Sequence, residues 1–168
     1  MDFGPRPRVR KQLRGARAPR GARLPGVIDL AEEAFVYYTS EDEAHPIENA
    51  LDSAGGPGGS RWLAAEVDEP QVVELEFDQP QDVSRLILEA EERDAERTQE
   101  VRVETSTDRG ETYSLALVQE FNFSPNGATF EREDWRLQVP KLTNLRLTII
   151  PNKRGHGRAT LTTLEVYR

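Results

Sequence analysis

An all-β fold, an antiparallel β-sandwich or jelly roll of about eight strands, is what this sequence predicts. Three observations carry that prediction. From Trp62 onward apolar residues recur at every second position, the period of a strand with one buried face. The alternate positions are mostly charged, as Glu74 and Glu76 are between Val73, Leu75 and Phe77, so each strand keeps a wet face, which marks an antiparallel sandwich rather than a parallel sheet. Turn residues break the runs at fairly regular intervals, as sandwiches and jelly rolls require.

Taken in order, residues 1–25 form an arm rich in Arg, Pro and Gly with almost no large apolar side chains. Such a segment buries too little surface to offset the entropy of ordering. It is expected to be disordered, or to order on an acidic partner or along its own acidic body. The domain proper is expected over 26–168. Ala34, Val36 and Tyr38 alternate with Phe35 and Tyr37 and predict a first strand at 34–39. Pro46 keeps His45 out of the helical region. Ile47–Leu51 fits one helical turn with Ile47 and Leu51 on one side. Residues 52–60 make a loop with four glycines and one proline, which allows the backbone to approach an ion, a ligand or the next strand closely.

The later strands follow the same logic. Val73–Phe77 is one, Asp78–Gln81 with Pro80 is a turn, and Val83–Ala90 is the next. The run 89–100, EAEERDAERTQE, has helical propensity but no apolar stripe, so it reads as a solvated connection or strand ends. Val101, Val103 and Thr105 make a strand, Asp108–Glu111 a turn, and Thr112–Phe123 its hairpin partner. Trp135–Val139, Leu145–Ile149 and Leu161–Tyr167 complete the set. Trp62 and Trp135 sit at core positions of their strands.

Composition narrows function. There is no cysteine, hence no disulfide framework and no thiolate metal site. No apolar run approaches the roughly 20 residues of a membrane span, and no apolar segment follows the basic amino terminus as a secretory signal would require. A cytoplasmic location is therefore expected. The net charge of −8 hides an arm of about +7, from eight Arg and Lys against Asp2, and a body of about −15. That body argues against nucleic-acid binding, where phosphate contacts dominate affinity. Catalysis is not expected: two histidines lie in separate loops, scattered carboxylates on an acidic surface do not mark acid–base chemistry, and the GGPGG run lacks the Lys-Ser/Thr of a phosphate loop.

The series HPIENALD (45–52), a loop, SRW (60–62), PQVVELEF (70–77), DVSRLIL (82–88) and the hairpin STDRGETY (106–113) resembles the discoidin family. These are the coagulation-factor C-type, galactose-binding-like domains, grouped with many bacterial carbohydrate-binding modules. The chain is similar also to the amino-terminal domain of an X-ray repair scaffold and to a small sandwich subunit of intraflagellar transport. The resemblance spans about residues 34–168. It implies a non-catalytic binding module with carbohydrate as ligand. The alternative is an intracellular interaction subunit that docks on protein through the sandwich and its basic arm. It also implies a structural calcium, held here by Asp52, Ser60 and Glu165 with backbone carbonyls, although the glycine-rich loop departs from the family's short Asp-Gly loop. Loops on a rigid sandwich are where binding resides. The ligand candidates are Tyr37, His45, Arg61, Asn122, Phe123, Asn126, Asn152, Lys153, Arg154 and His156. They are chosen as polar or aromatic groups in loops, with 151–157 expected to be flexible.

Overall fold

The structure is a computed structural model and describes residues 9–12, 25–52 and 55–168. Its strands are β1 (Val9–Gln12), β2 (Ala34–Tyr38), β3 (Trp62–Leu63), β4 (Gln71–Glu91), β5 (Arg97–Ser106), β6 (Ser114–Phe123), β7 (Phe130–Arg154), β8 (Thr160–Leu161) and β9 (Thr163–Tyr167). Two single helical turns, α1 (Leu30–Glu33) and α2 (Glu48–Leu51), accompany them. Asp29 caps α1 by accepting the Ala31 N–H at 3.1 Å.

All strand pairs are antiparallel, as expected. The order is β1-β2-β4-β7-β5-β6, with β9 also on β4 and a small β3-β8 pair beside them. β4 and β7 are long enough to serve both layers of the sandwich. The first part of β4 pairs with β2 and with the end of β7; its last part pairs with β9 and with the start of β7. Val73, Leu75, Phe77, Val101, Val103, Leu145, Leu147 and Ile149 thereby meet Leu86, Leu88, Leu164 and Val166 in one core. Trp62 is fully buried there, its indole N–H donating to the Ser40 carbonyl at 3.0 Å. Trp135 packs against the same core, half-buried.

The bend corrects one expectation. Asp78–Gln81 is not a turn between two strands: β4 runs through it, as β7 runs through 139–145. The register between them shifts from Glu76 to Arg85, so both strands bend where the ladder is broken. Pro80 lies in that gap and is exposed, so its missing N–H costs no ladder bond. Lys141 opposite takes φ 55° and donates its N–H to Asp82 at 2.9 Å. Arg109, at φ 62° in the β5–β6 hairpin, donates to the Phe77 and Asp78 carbonyls and holds the bend from the side.

A second finding concerns the arm. Four of its residues form β1 on the free edge of β2, from Val9↔Tyr38 to Gln12↔Phe35. The remainder of 1–24 lies outside the described residues, as do Ser53 and Ala54 of the glycine-rich loop.

Candidate functional site

One end of the sandwich gathers the connections that could bind something. Glu91 pairs with Phe130, Arg97 with Phe123, and Thr98 with Arg154. The 92–96 connection, the 124–129 turn and the 155–159 loop therefore share a rim, with the 55–61 segment beside them. Arg97 holds this rim together. Its side chain is 1% exposed. It donates to Glu92 at 2.8 Å, to the Pro151 carbonyl at 2.8 Å and to the Arg158 carbonyl at 2.8 Å. Next to it, Gln99 grips Thr160 through both its amide groups, at 2.9 and 3.1 Å. The 155–157 loop passes directly over Arg97. A Cβ on Gly155 would lie 2.4 Å from the Glu96 carbonyl oxygen, and one on Gly157 would lie 2.6 Å from Arg97 Nε. Of this stretch, expected to be a flexible basic loop, 151–154 continue β7 and 153–156 are exposed, while Gly155 and Gly157 make the close approach to Arg97.

The glycine-rich loop is explained in the same way. Its N–H groups turn toward carboxylates at the end of β4. Gly58 N–H donates to Glu91 at 2.8 Å and Gly56 N–H lies 3.4 Å from Glu89. Both glycines have positive φ, 77° and 83°, and both carboxylates are buried. Charge-assisted bonds of this kind are about twice as strong as neutral ones. Arg93 closes over Glu91 with Nε at 2.9 Å.

These contacts leave a cleft of about 350 Å³ lined by His45, Asn49, Gly58–Arg61, Glu91, Arg93 and Asp94. Its polar groups are oriented from behind. Asp42 takes one face of the His45 imidazole, Nδ1 to Oδ2 at 2.7 Å, which leaves Nε2 for a ligand. That bond first, then the His45 and Arg158 charges and the Ala44 N–H, hold the Asp42 carboxyl below its usual range against the opposing effect of desolvation. Asn49 donates to the Arg61 carbonyl at 3.0 Å, which leaves its amide oxygen as acceptor. The Arg61 guanidinium has no carboxylate partner among the described residues. The cleft thus offers a cationic fork, an imidazole, an amide and the Asp94 carboxylate, the complement that polyhydroxylated ligands need. Among the described residues no Trp, Tyr or Phe lines it. A second cleft of about 440 Å³ lies across the 92–96 connection, lined by Glu96, Arg97, Thr98, Asn122, Phe123, Ser124, Arg154 and Gly155.

The predicted ligand residues divide accordingly. His45 and Arg61 share the first cleft; Asn122, Phe123 and Arg154 share the second. Phe123 is not a platform there: it is 3% exposed, with the Arg97 guanidinium 5.7 Å from its ring centre. Asn122 accepts from the Thr98 hydroxyl at 2.7 Å. Asn126 is exposed in the β6–β7 turn. His156, with its side chain 84% exposed, is tethered to Asp68 at 2.7 Å, and Asp68 also accepts the Gly157 N–H at 2.9 Å. Tyr37, Asn152 and Lys153 are not in loops. Tyr37 faces outward from the middle of β2 beside Glu74, Glu76 and Arg10. Asn152 and Lys153 lie in β7, where Lys153 binds Glu100 at 2.9 Å and Glu120. Asn49, Glu91, Arg93, Asp94 and Arg97 were not foreseen. A period-two reading puts Glu89 and Glu91 on the wet face of β4, and nothing local reveals that a loop some 33 residues earlier covers them.

The calcium candidates sit at the end of α2, at the close of the glycine-rich loop and on β9. Asp52 accepts from the Ser60 hydroxyl at 2.8 Å. Glu165 stands opposite Ile87 on β9 and hydrogen-bonds the Tyr167 phenol, which burial first and then that carboxylate push up to about 12. Among the described residues no three or more His, Asp or Glu converge as metal donors. A hard cation needs six to eight oxygens, so a cation held by Asp52, Ser60 and Glu165 would draw most of its ligands from backbone carbonyls.

No helix among the described residues is long and apolar enough to cross a membrane. No curated protein sequence matches the chain. Several solved structures share its fold. A family 32 carbohydrate-binding module from a Clostridium perfringens family 31 glycoside hydrolase is 21% identical, with TM-score 0.60 over 84% of this chain and 94% of that one. A chitosan-binding module from a Paenibacillus chitosanase/glucanase is 20% identical, with TM-score 0.60 over 84% and 99%. The family 32 module of Clostridium perfringens NanJ in complex with galactose is 17% identical, with TM-score 0.59 over 85% and 98%. The F5/8 type C domain model matches residues 36–165, and the chain belongs to that family.

Proposed function

We propose that this protein is a carbohydrate-recognition module that grips sugar hydroxyls in the cleft between α2, the glycine-rich loop and the end of β4. The observation that carries this reading is the cleft in which His45 and Asn49 each have one group held by the protein and another left over, beside an Arg61 guanidinium with no carboxylate partner among the described residues. Groups fixed in this way lose little entropy on binding. The fold likeness adds support, since similar modules are known in complex with galactose and with N-acetylgalactosamine-β-1,3-galactose. A terminal galactose or N-acetylgalactosamine is therefore the first ligand to try. With no aromatic platform among the described residues, affinity rests on hydrogen bonds.

A glycan array followed by calorimetry on the best ligand tests it. Arg61→Ala removes a charged hydrogen-bond donor worth about 1.5–3 kcal/mol, so Kd rises about 10- to 100-fold. Gln138→Ala, exposed on the first half of β7, leaves it unchanged. A blank array, or an Arg61→Ala variant that binds as the wild type does, rejects the reading. A second reading, docking onto a protein partner, is favoured by β6. This ten-residue edge strand exposes Leu115 at 58% and Val118 at 43%, an open edge of the kind that accepts another strand. A partner that stays with the wild type and is lost on Leu115→Glu would support it.

A further inference from the structure

β1 touches more than its neighbouring strand. Arg10 lies over the Phe35 ring at 3.6 Å, and Lys11 Nζ donates to Glu41 at 2.6 Å and to the Glu48 carboxylate at 3.1 Å. Glu41 is where the arm meets the cleft-forming loop. Its Oε1 receives Lys11 and, at 3.3 Å, the Tyr38 hydroxyl; its Oε2 accepts the Ile47 N–H at 2.9 Å. Ile47 is fully buried and leads directly into α2. Asn49 of that turn holds the Arg61 carbonyl, and His45 stands two residues before Ile47.

We propose that residues 9–12 are a built-in strand ligand for the β2 edge, whose seating fixes the His45–Asn49 loop in its cleft-forming shape. For its consequence at the cleft this rests on the reading above; the contact itself does not. A four-residue edge strand with one neighbour is too short to stay in place on its ladder alone. What holds it is chemistry at two faces: Arg10 stacked on an aromatic ring, and Lys11 between two half-buried glutamates. Without the ammonium, Glu41 and Glu48 are like charges close enough to have shared one cation. Glu41 then gains by turning to water, and the Ile47 N–H loses its acceptor. The segment is basic and the body strongly acidic, so the pairing has the right sign at long range too. Coupling of this kind is reciprocal: a ligand that fixes the loop also tightens β1.

Hydrogen exchange on the full chain reads the Ile47 amide in the wild type, Lys11→Met and Lys11→Arg. Lys11→Met is expected to lower Ile47 protection at least about tenfold, with Val103 and Leu147 in the central strands unchanged. Lys11→Arg, which keeps the charge, retains the protection. In a parallel titration with galactose as probe, Lys11→Met weakens binding at least about threefold. Unchanged Ile47 exchange in Lys11→Met overturns the proposal. So does faster Ile47 exchange with unaltered galactose affinity, because the strand would then order the loop without shaping the cleft. A wild-type chain that ignores galactose rejects galactose as the ligand instead, and Ile47 exchange alone then decides this one.

Discussion

Replacing Arg97 by Met removes the guanidinium and keeps most of the volume, so it isolates the polar role of this residue. Three bonds of 2.8 Å are lost at once, to Glu92, Pro151 and Arg158, together with the weaker 3.4 Å contact to Gln99. The residue is almost fully buried, so solvent does not take over these roles. The Glu92 carboxylate and two carbonyls lose their donor. Removing one member of a buried ion pair costs about 3–5 kcal/mol, and the hydrogen-bonding value of each abandoned carbonyl points the same way. Urea unfolding measures it. With a slope of about 1–3 kcal/mol/M, the midpoint should fall by 1 M or more with the slope unchanged. The effect should be local as well as global: amides of 155–159 and 92–96 should exchange faster than those of β5 and β7. A loss below about 1 kcal/mol, or a loss with no preferential loosening of those two segments, would refute the view that one buried arginine organises the rim.

Other outcomes follow from the same geometry. Gly155→Ala places a Cβ against the Glu96 carbonyl in a backbone at φ 70°; strain of about 1–3 kcal/mol should lower Tm by about 2 °C or more, and an unchanged Tm contradicts the close approach described at Gly155. Asp108 is held down to about 2 from 3.8, first by the Thr112 hydroxyl, then by the Thr112 N–H and the Ser106 hydroxyl. Between those values the unfolded chain binds the proton that the folded chain refuses, so stability contributed by this turn is present above about pH 4 and drains away toward pH 2. Asp108→Asn should flatten the acid limb of a Tm-against-pH curve, and an identical limb in the variant rejects the assignment. Replacing EDTA by millimolar calcium should leave Tm within about 1 °C; a rise of several degrees would mean that backbone carbonyls complete a cage around Asp52 and Ser60.

The sandwich was legible because burial imposes a period of two wherever one face is wet, and the charged positions between Val73, Leu75 and Phe77 record that face directly. The joining of those strands into β4 was not, because Pro80 signals a local break, whereas the register gap that accommodates it is made by β7 and by Arg109. The rim was half legible. His45 and Arg61 stand out as polar loop residues of the kind that binds. Glu91 and Arg97 look like two more charges in a solvated run, since their burial comes from the 55–60 and 155–159 loops, far away in sequence. Val9–Gln12 gives no strand signal of its own: its pairing depends on Phe35, Glu41 and Glu48, and on the acidity of the whole body.

The cleft between α2 and the end of β4 is where a sugar should bind, and backbone amide chemical shifts titrated with galactose-terminated glycan test that most directly. Saturable shifts are expected, confined to His45–Asn49, Gly58–Arg61 and 91–94 and abolished or strongly weakened in Arg61→Ala. Shifts that map to the exposed face of β6, or none at all at millimolar glycan, would contradict it.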